Sequence, residues 1–289
     1  MRSPELTLLE RSAPEMFART PRIGTVMAAF LRRTWLERKL EWLAVGIRLA
    51  GMTIAILSYS FLGRFVDAAP NPTLESYRGR YGLYLIIGMA ALDLQTSLMS
   101  ALASSIRNAQ ITGALESLLS TPTPIALVLW GASIPDLLGL VVRLVFYSAM
   151  GALFFSSGGT LLTWSLAGGV LAMLIAAILA LSALGIIGAA LTLMLRRSDP
   201  LQVLLATLSM IAGGVVYPRA ILPPALSALG SCLPITHVLT GLRAAIVGQS
   251  WSAAFAHLML MTLILGPLGV WLFSRALKRA REDGSLTAF

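Results

Sequence analysis

From about Leu161 to Leu195 the chain is long, apolar and rich in alanine and glycine, one of several runs of twenty or so apolar residues. About twenty apolar residues in helical form span a hydrocarbon core of about 30 Å. Inside that core every backbone N–H and C=O must be satisfied without water, which helices and closed barrels alone achieve. Of the 289 residues, 57% are hydrophobic and only 12% charged, where a soluble domain carries about 25%. The fold class expected is an all-α integral membrane protein.

The formal charge of +9 does not point to nucleic acid, because the basic residues cluster beside the apolar runs and act there as topology signals. Cys232 is the sole cysteine, so no intrachain disulfide can form. Residues 1–20 lack the apolar stretch and cleavage pattern of a secretory signal and read as a cytoplasmic tail.

Thr20-Pro21 pairs a capping hydroxyl with proline at a first helical position. Over residues 21–41, Ile23, Val26, Met27, Phe30, Leu31 and Trp35 recur at helical spacing, complemented by Arg32, Arg33, Arg38 and Lys39. This fits an N-terminal amphipathic helix lying in the membrane interface; packing on a partner protein is the alternative. A six-span domain is expected over 42–274. Its transmembrane helices are Trp42–Gly63, Tyr81–Ser105, a third within Ile125–Phe155 that Pro135 would kink, Leu161–Leu195, Leu201–Val216 and Trp251–Phe273. The fourth should be tilted or interrupted near Gly185 and Gly188. Residues 217–248 stay apolar yet are broken by Pro218, Pro223, Pro224 and Pro234, so they read as a re-entrant helix pair before the last span. Residues 275–289 form a tail.

An even number of spans puts both termini on one side, together with Arg32, Arg33, Arg38, Lys39, Arg107, Arg196, Arg197 and the C-terminal basic cluster. The positive-inside rule makes that side the cytoplasm. Arg64, Arg78 and Arg80 fall opposite, offset by Asp67 and Glu75.

Between the second and third spans, residues 108–121 form a short amphipathic segment. Ile111, Ala114, Leu115, Leu118 and Leu119 make one stripe, and Thr112, Glu116, Ser117 and Ser120 face away. Asn108 is a candidate cap and Pro122 a stop.

No GxxxxGK[ST] phosphate loop occurs. His237 and His257 are distant in sequence and lack neighbours at metal-ligand spacing. Ser133 has no triad context, so no catalytic residue, metal site or bound cofactor is expected. Four charges fall within the spans: Arg48, Asp93, Asp136 and Arg143. A charge at mid-bilayer costs about 2.5–3.5 kcal/mol on insertion scales. Pairing of Asp93 with Arg143 and of Asp136 with Arg48 would hide that cost between helices. Alternatively, Asp93 faces a translocation path and meets a cationic substrate or protons. Gly168, Gly169, Ala172, Ala176, Gly185, Gly188 and Ala189 permit close helix approach, read first as packing within one bundle.

Thr112-Gly113-Ala114-Leu115-Glu116-Ser117-Leu118-Leu119-Ser120-Thr121-Pro122 resembles the T-G-T-L-E-x-L-L-x-T-P-like coupling element of the type-2 ABC exporter (ABC-2 type) permeases. The family's Gly-x-x-x-Pro break, two L-P pairs and L-R are matched in order by Gly214 to Pro218, Leu222-Pro223, Leu233-Pro234 and Leu242-Arg243. The resemblance covers about Pro21 to Arg281. Upstream of the coupling element the chain departs, with Arg107-Asn108-Ala109-Gln110 where the family often has acidic residues.

The resemblance implies a permease of the plasma membrane, bacterial or archaeal, paired with an ABC ATPase subunit, two per complex, which would bind ATP and Mg. Thr112, Gly113, Leu115, Glu116, Leu118, Leu119, Thr121 and Pro122 would dock on that subunit. Gly214, Pro218, Pro223, Pro234 and Arg243 would belong to a re-entrant lid. A second copy or a related permease would complete the path among membrane lipids. The substrate class expected is a drug, antibiotic or small amphipathic compound. A polysaccharide or lipid-linked glycan is the alternative within the family, and a proton-coupled secondary transporter using Asp93 the alternative outside it.

Overall fold

The computed structural model describes residues 42–68, 81–111, 131, 133–155, 164–195 and 200–282. The expected interfacial helix, residues 112–122 and the two chain ends lie outside them. Among the described residues all regular structure is helical. The helices are α1 (Trp42–Ala68), α2 (Tyr81–Ile111), α3 (Ile134–Phe155), α4 (Trp164–Leu195), α5 (Pro200–Ala212), α6 (Pro224–Ser231), α7 (Pro234–Val247) and α8 (Ser252–Glu282). Five of them, α1 to α4 and α8, are long and apolar enough to cross a membrane; counting the pair α6–α7, bent by 86°, as one span gives six. The chain is a multi-pass membrane protein.

Several boundaries differ from expectation. Asn108 lies inside α2, which runs on to Ile111, so it does not cap a new helix. Pro135 is the second residue of α3, where its missing N–H would have no helical partner in any case. Of the two alternatives for α4, tilt or interruption near Gly185 and Gly188, interruption does not occur: α4 is helical over all 32 residues. A Cβ on Gly185 would come within 2.7 Å of the Leu98 carbonyl, so this glycine admits α2 rather than breaking α4. The expected fifth span is helical for only 13 residues, about 20 Å at 1.5 Å per residue, against a core of about 30 Å.

α4 lies at the centre. Met173, Ala176, Ala177, Ala180 and Leu181 are fully buried along it, and α2, α7 and α8 all pack on it. Its small residues bring neighbours close, as at Gly169, which faces the Trp251 indole. α1 and α3 flank α2 and keep apolar outer faces, including Ile54, Phe65, Val145 and Leu153. In lipid such faces need no cover.

The two ends of the bundle differ in chemistry. At one, Ile106, Leu193 and Ala276 join α2, α4 and α8, with exposed Arg107, Arg275, Lys278 and Arg279 close by in sequence. At the other, Tyr81, Tyr84 and Leu85 pack with Tyr59 of α1 and Val216.

Candidate functional site

α5 stops at Gly213-Gly214. Gly214 has φ 80°, the left-handed conformation that glycine adopts without a steric penalty. The carbonyls that follow lose their helical partners and, away from water, must find others. Arg243 on α7 supplies part of them. Its Nη1 donates to the Gly214 carbonyl at 2.9 Å and its Nη2 to the Tyr84 carbonyl at 3.0 Å, with Val215 O a further 3.5 Å contact. A planar guanidinium with five donors suits this fork as an ammonium would not.

α2 completes the latch. The Tyr84 hydroxyl donates to Gly214 O and the Tyr81 hydroxyl to Val216 O, both at 2.8 Å. The Arg243 guanidinium carbon sits 3.4 Å from the Tyr84 ring centroid, a cation–π contact. Gly88, one turn on, abuts the Val215 carbonyl, and a Cβ there would collide with it.

Beyond the latch the chain doubles back. Pro218 precedes a 3₁₀ turn at Arg219–Ile221, Pro223 caps α6, and Pro234 opens α7. Gly230 on α6 abuts the Ala212 carbonyl at the end of α5, and Thr236 Oγ1 donates to Gly230 O at 2.6 Å. The Gly214 and Leu242-Arg243 parts of the motif, separate in sequence, are therefore one structural unit.

A second cluster lies between α2 and α3. Arg143 Nε is 2.7 Å from Asp93 Oδ2, with side chains 16% and 24% exposed. Arg143 Nη2 also donates to Ser97 Oγ at 2.5 Å, and Ser97 Oγ to Asp93 Oδ1 at 3.3 Å. The other expected pair is not formed. Asp136 instead accepts a hydrogen bond from Ser104 Oγ at 3.3 Å, and Arg48 is exposed on α1. Both side chains reach the bundle surface, where burial does not force a charge to find its opposite.

Two polar links were not anticipated. Gln95 and Ser209, both buried, exchange hydrogen bonds of 3.0 and 3.1 Å between α2 and α5. Ser133 Oγ donates to Ala101 O at 3.0 Å and meets Ser105 Oγ at 3.0 Å, tying the entry of α3 to α2. Glutamine within an apolar run was a readable signal for the first; Tyr81, Tyr84 and Gly88, on one helical face, were a signal for the latch. His237 and His257, distant in sequence, stack with centroids 4.9 Å apart. Each uses a ring nitrogen on a backbone carbonyl, of Ser231 and Ala253. Among the described residues no three potential ligands converge on a metal position.

Of the residues expected to dock a partner, Thr112, Gly113, Leu115, Glu116, Leu118, Leu119, Thr121 and Pro122 all lie outside the described residues. No curated protein is similar enough to this chain to count as a relative. The family model for ABC-2 type transporters matches residues 25–247, most of the chain and all of the latch. The chain belongs to the ABC-2 type transporter family, whose membrane domains do not themselves hydrolyse ATP.

Proposed function

We propose that this chain is the permease half of an ATP-driven exporter for a drug, antibiotic or other small amphipathic compound. The observation that carries this reading is the Arg243 latch between α2, the Gly214 break and α7, in a chain of the ABC-2 type family. ATP and Mg belong to a partner ATPase subunit, present in two copies, and a second copy of this chain or a related permease completes the path.

The described helices offer a route for the motion. Residues 108–111 of the expected coupling element are the last turn of α2, and its far side returns at Ser133, bonded to α2 through Ala101 O. α2 has 31 residues, a rod of about 46 Å, and its other end carries Tyr81, Tyr84 and Gly88 against the latch. A push on residues 112–121 by the ATPase subunit would travel along α2 to the re-entrant pair as a rigid-body shift. The exposed basic residues Arg107, Lys278 and Arg279 near the Ile111 end support placing that end, and both termini, in the cytoplasm. The Asp93 carboxylate is occupied by Arg143 and Ser97, so nothing observed favours a proton-carrying role for it.

The test is purification of the chain from its native membrane. An ATPase subunit should come with it, and Leu115→Asp or Glu116→Lys should release that subunit or leave ATP hydrolysis running without export. Purification free of any ATPase, or full coupling in both variants, would overturn the proposal.

A further inference from the structure

A cavity of about 580 Å³ opens between α2, the Gly213-Gly214 break and α7. Its wall is amphiphilic: Ile87 and Leu239 are apolar, Thr236 and Thr240 carry hydroxyls, and Arg219 and Arg243 bring two guanidinium groups. Both arginines converge on Gly214. The Arg219 stem lies over it, with Cγ 3.2 Å from where a Cβ would stand, while Arg243 holds its carbonyl.

Among the described residues the hydrogen-bond partners of Arg219 are neutral. Its Nη2 donates to Ser227 O at 2.5 Å and to the hydroxyls of Ser231 and Ser227 at 2.6 and 3.3 Å. Its Nε is buried without a hydrogen-bond partner. The sequence contains no Asp or Glu from Pro200 to Arg281, and among the described residues the ion pair is that of Arg143 with Asp93. The Arg219 side chain is partly exposed, and with neutral hydrogen-bond partners among the described residues it presents to the cavity a positive charge that an anion within reach offsets.

We infer that this cavity binds an anionic amphiphile, its oxyanion head held at Arg219 and Arg243 and its apolar body along Ile87 and Leu239. A head of this chemistry is carried by an anionic membrane lipid or by a transported compound. The inference rests on the cavity and its charges and does not depend on the energy source or direction of transport.

The experiment uses the transporter purified with whatever subunits accompany it, in a neutral maltoside detergent, titrated with dodecyl phosphate. Binding should raise the melting temperature and saturate. Arg219→Gln should weaken it by about tenfold or more, the effect of losing one charge-assisted contact, and Arg219→Lys should restore most of it. Because Arg219 also braces α6, a second variant, Thr240→Glu, supplies the wall with its own carboxylate. It should melt no lower than the unmodified protein without ligand, and should no longer bind dodecyl phosphate. Phosphatidylglycerol retained from doped phosphatidylcholine nanodiscs by the unmodified chain, but not by Thr240→Glu, would identify a lipid occupant. Dodecyl phosphate binding without lipid retention would identify an amphiphile from another source. Absence of saturable dodecyl phosphate binding, or equal binding by Thr240→Glu, would overturn the inference.

Discussion

Arg143 on α3 and Arg243 on α7 each place a guanidinium among apolar helices, but they meet different partners. Arg143 meets a carboxylate, Asp93, at 2.7 Å. Arg243 meets the carbonyls of Gly214 and Tyr84 at 2.9 and 3.0 Å and the face of the Tyr84 ring. In the first case two costly charges cancel, and the pair asks nothing of the backbone. In the second the charge serves the backbone, holding the Gly214 carbonyl that the glycine break has released and adding a bond to the Tyr84 carbonyl of α2. Loss of Arg143 leaves the Asp93 carboxylate with the Ser97 hydroxyl. Loss of Arg243 leaves the Gly214 carbonyl with the Tyr84 hydroxyl and frees α7 from both α2 and the break.

The sharpest way to break this comparison is Arg243→Ala. It removes two charge-assisted hydrogen bonds worth about 1.5–3 kcal/mol each, so a loss of about 3 kcal/mol or more is expected. The measurement is thermal unfolding of the purified transporter, with proteolysis rising between α5 and α6. Arg243→Lys should recover little, since an ammonium cannot bridge both carbonyls in one plane. If Arg243→Ala proved milder than any change at Arg143, the latch would not be what holds the lid.

A smaller effect is expected at the ion pair. Asp93→Arg or Arg143→Asp alone places like charges together and should lower stability and yield. The full 3–5 kcal/mol of a buried pair does not apply to groups that are 24% and 16% exposed, so about 1–2 kcal/mol is the expected loss. The exchanged double variant should recover most of it, read as expression and melting temperature. Absence of rescue would mean that Asp93 serves something other than Arg143.

What the sequence revealed, and what it concealed, follows the same division. Spans are legible because lipid demands long apolar runs, and the Asp93–Arg143 pair because mid-membrane charge demands a partner. The doubling back after α5 was legible from prolines and Gly213-Gly214, since both disrupt a helix by backbone geometry. The latch was not legible as a contact. It joins Tyr84 to Gly214 and Arg243, 130 and 159 residues apart, and local pattern carries no distance information of that kind. Of the two readings of Gly185, close helix approach is the one that holds and a break in α4 the one that does not. Glycine lowers helix propensity by about 1 kcal/mol relative to alanine, but within lipid the helical hydrogen bonds outweigh it, and the close approach to Leu98 O gives it a packing role.

The smallest expected effect concerns Arg48 and Asp136, where the expected pair does not form. Both are exposed, and Asp136 takes its hydrogen bond from Ser104 on α2. Surface changes away from special features usually stay within about 0.5 kcal/mol. A double-mutant cycle with Arg48→Gln and Asp136→Asn should therefore give a coupling energy below about 0.5 kcal/mol. Ser104→Ala paired with Asp136→Asn should show the larger coupling of the two cycles, still within about 1 kcal/mol for an exposed bond. The same cycle applied to Asp93 and Arg143 supplies the internal standard. Pairing of every charge within the spans assigns both pairs the same coupling, whereas the geometry assigns it to one, so a coupling at Arg48–Asp136 comparable to that standard would remove the distinction between buried and peripheral charge on which the comparison rests.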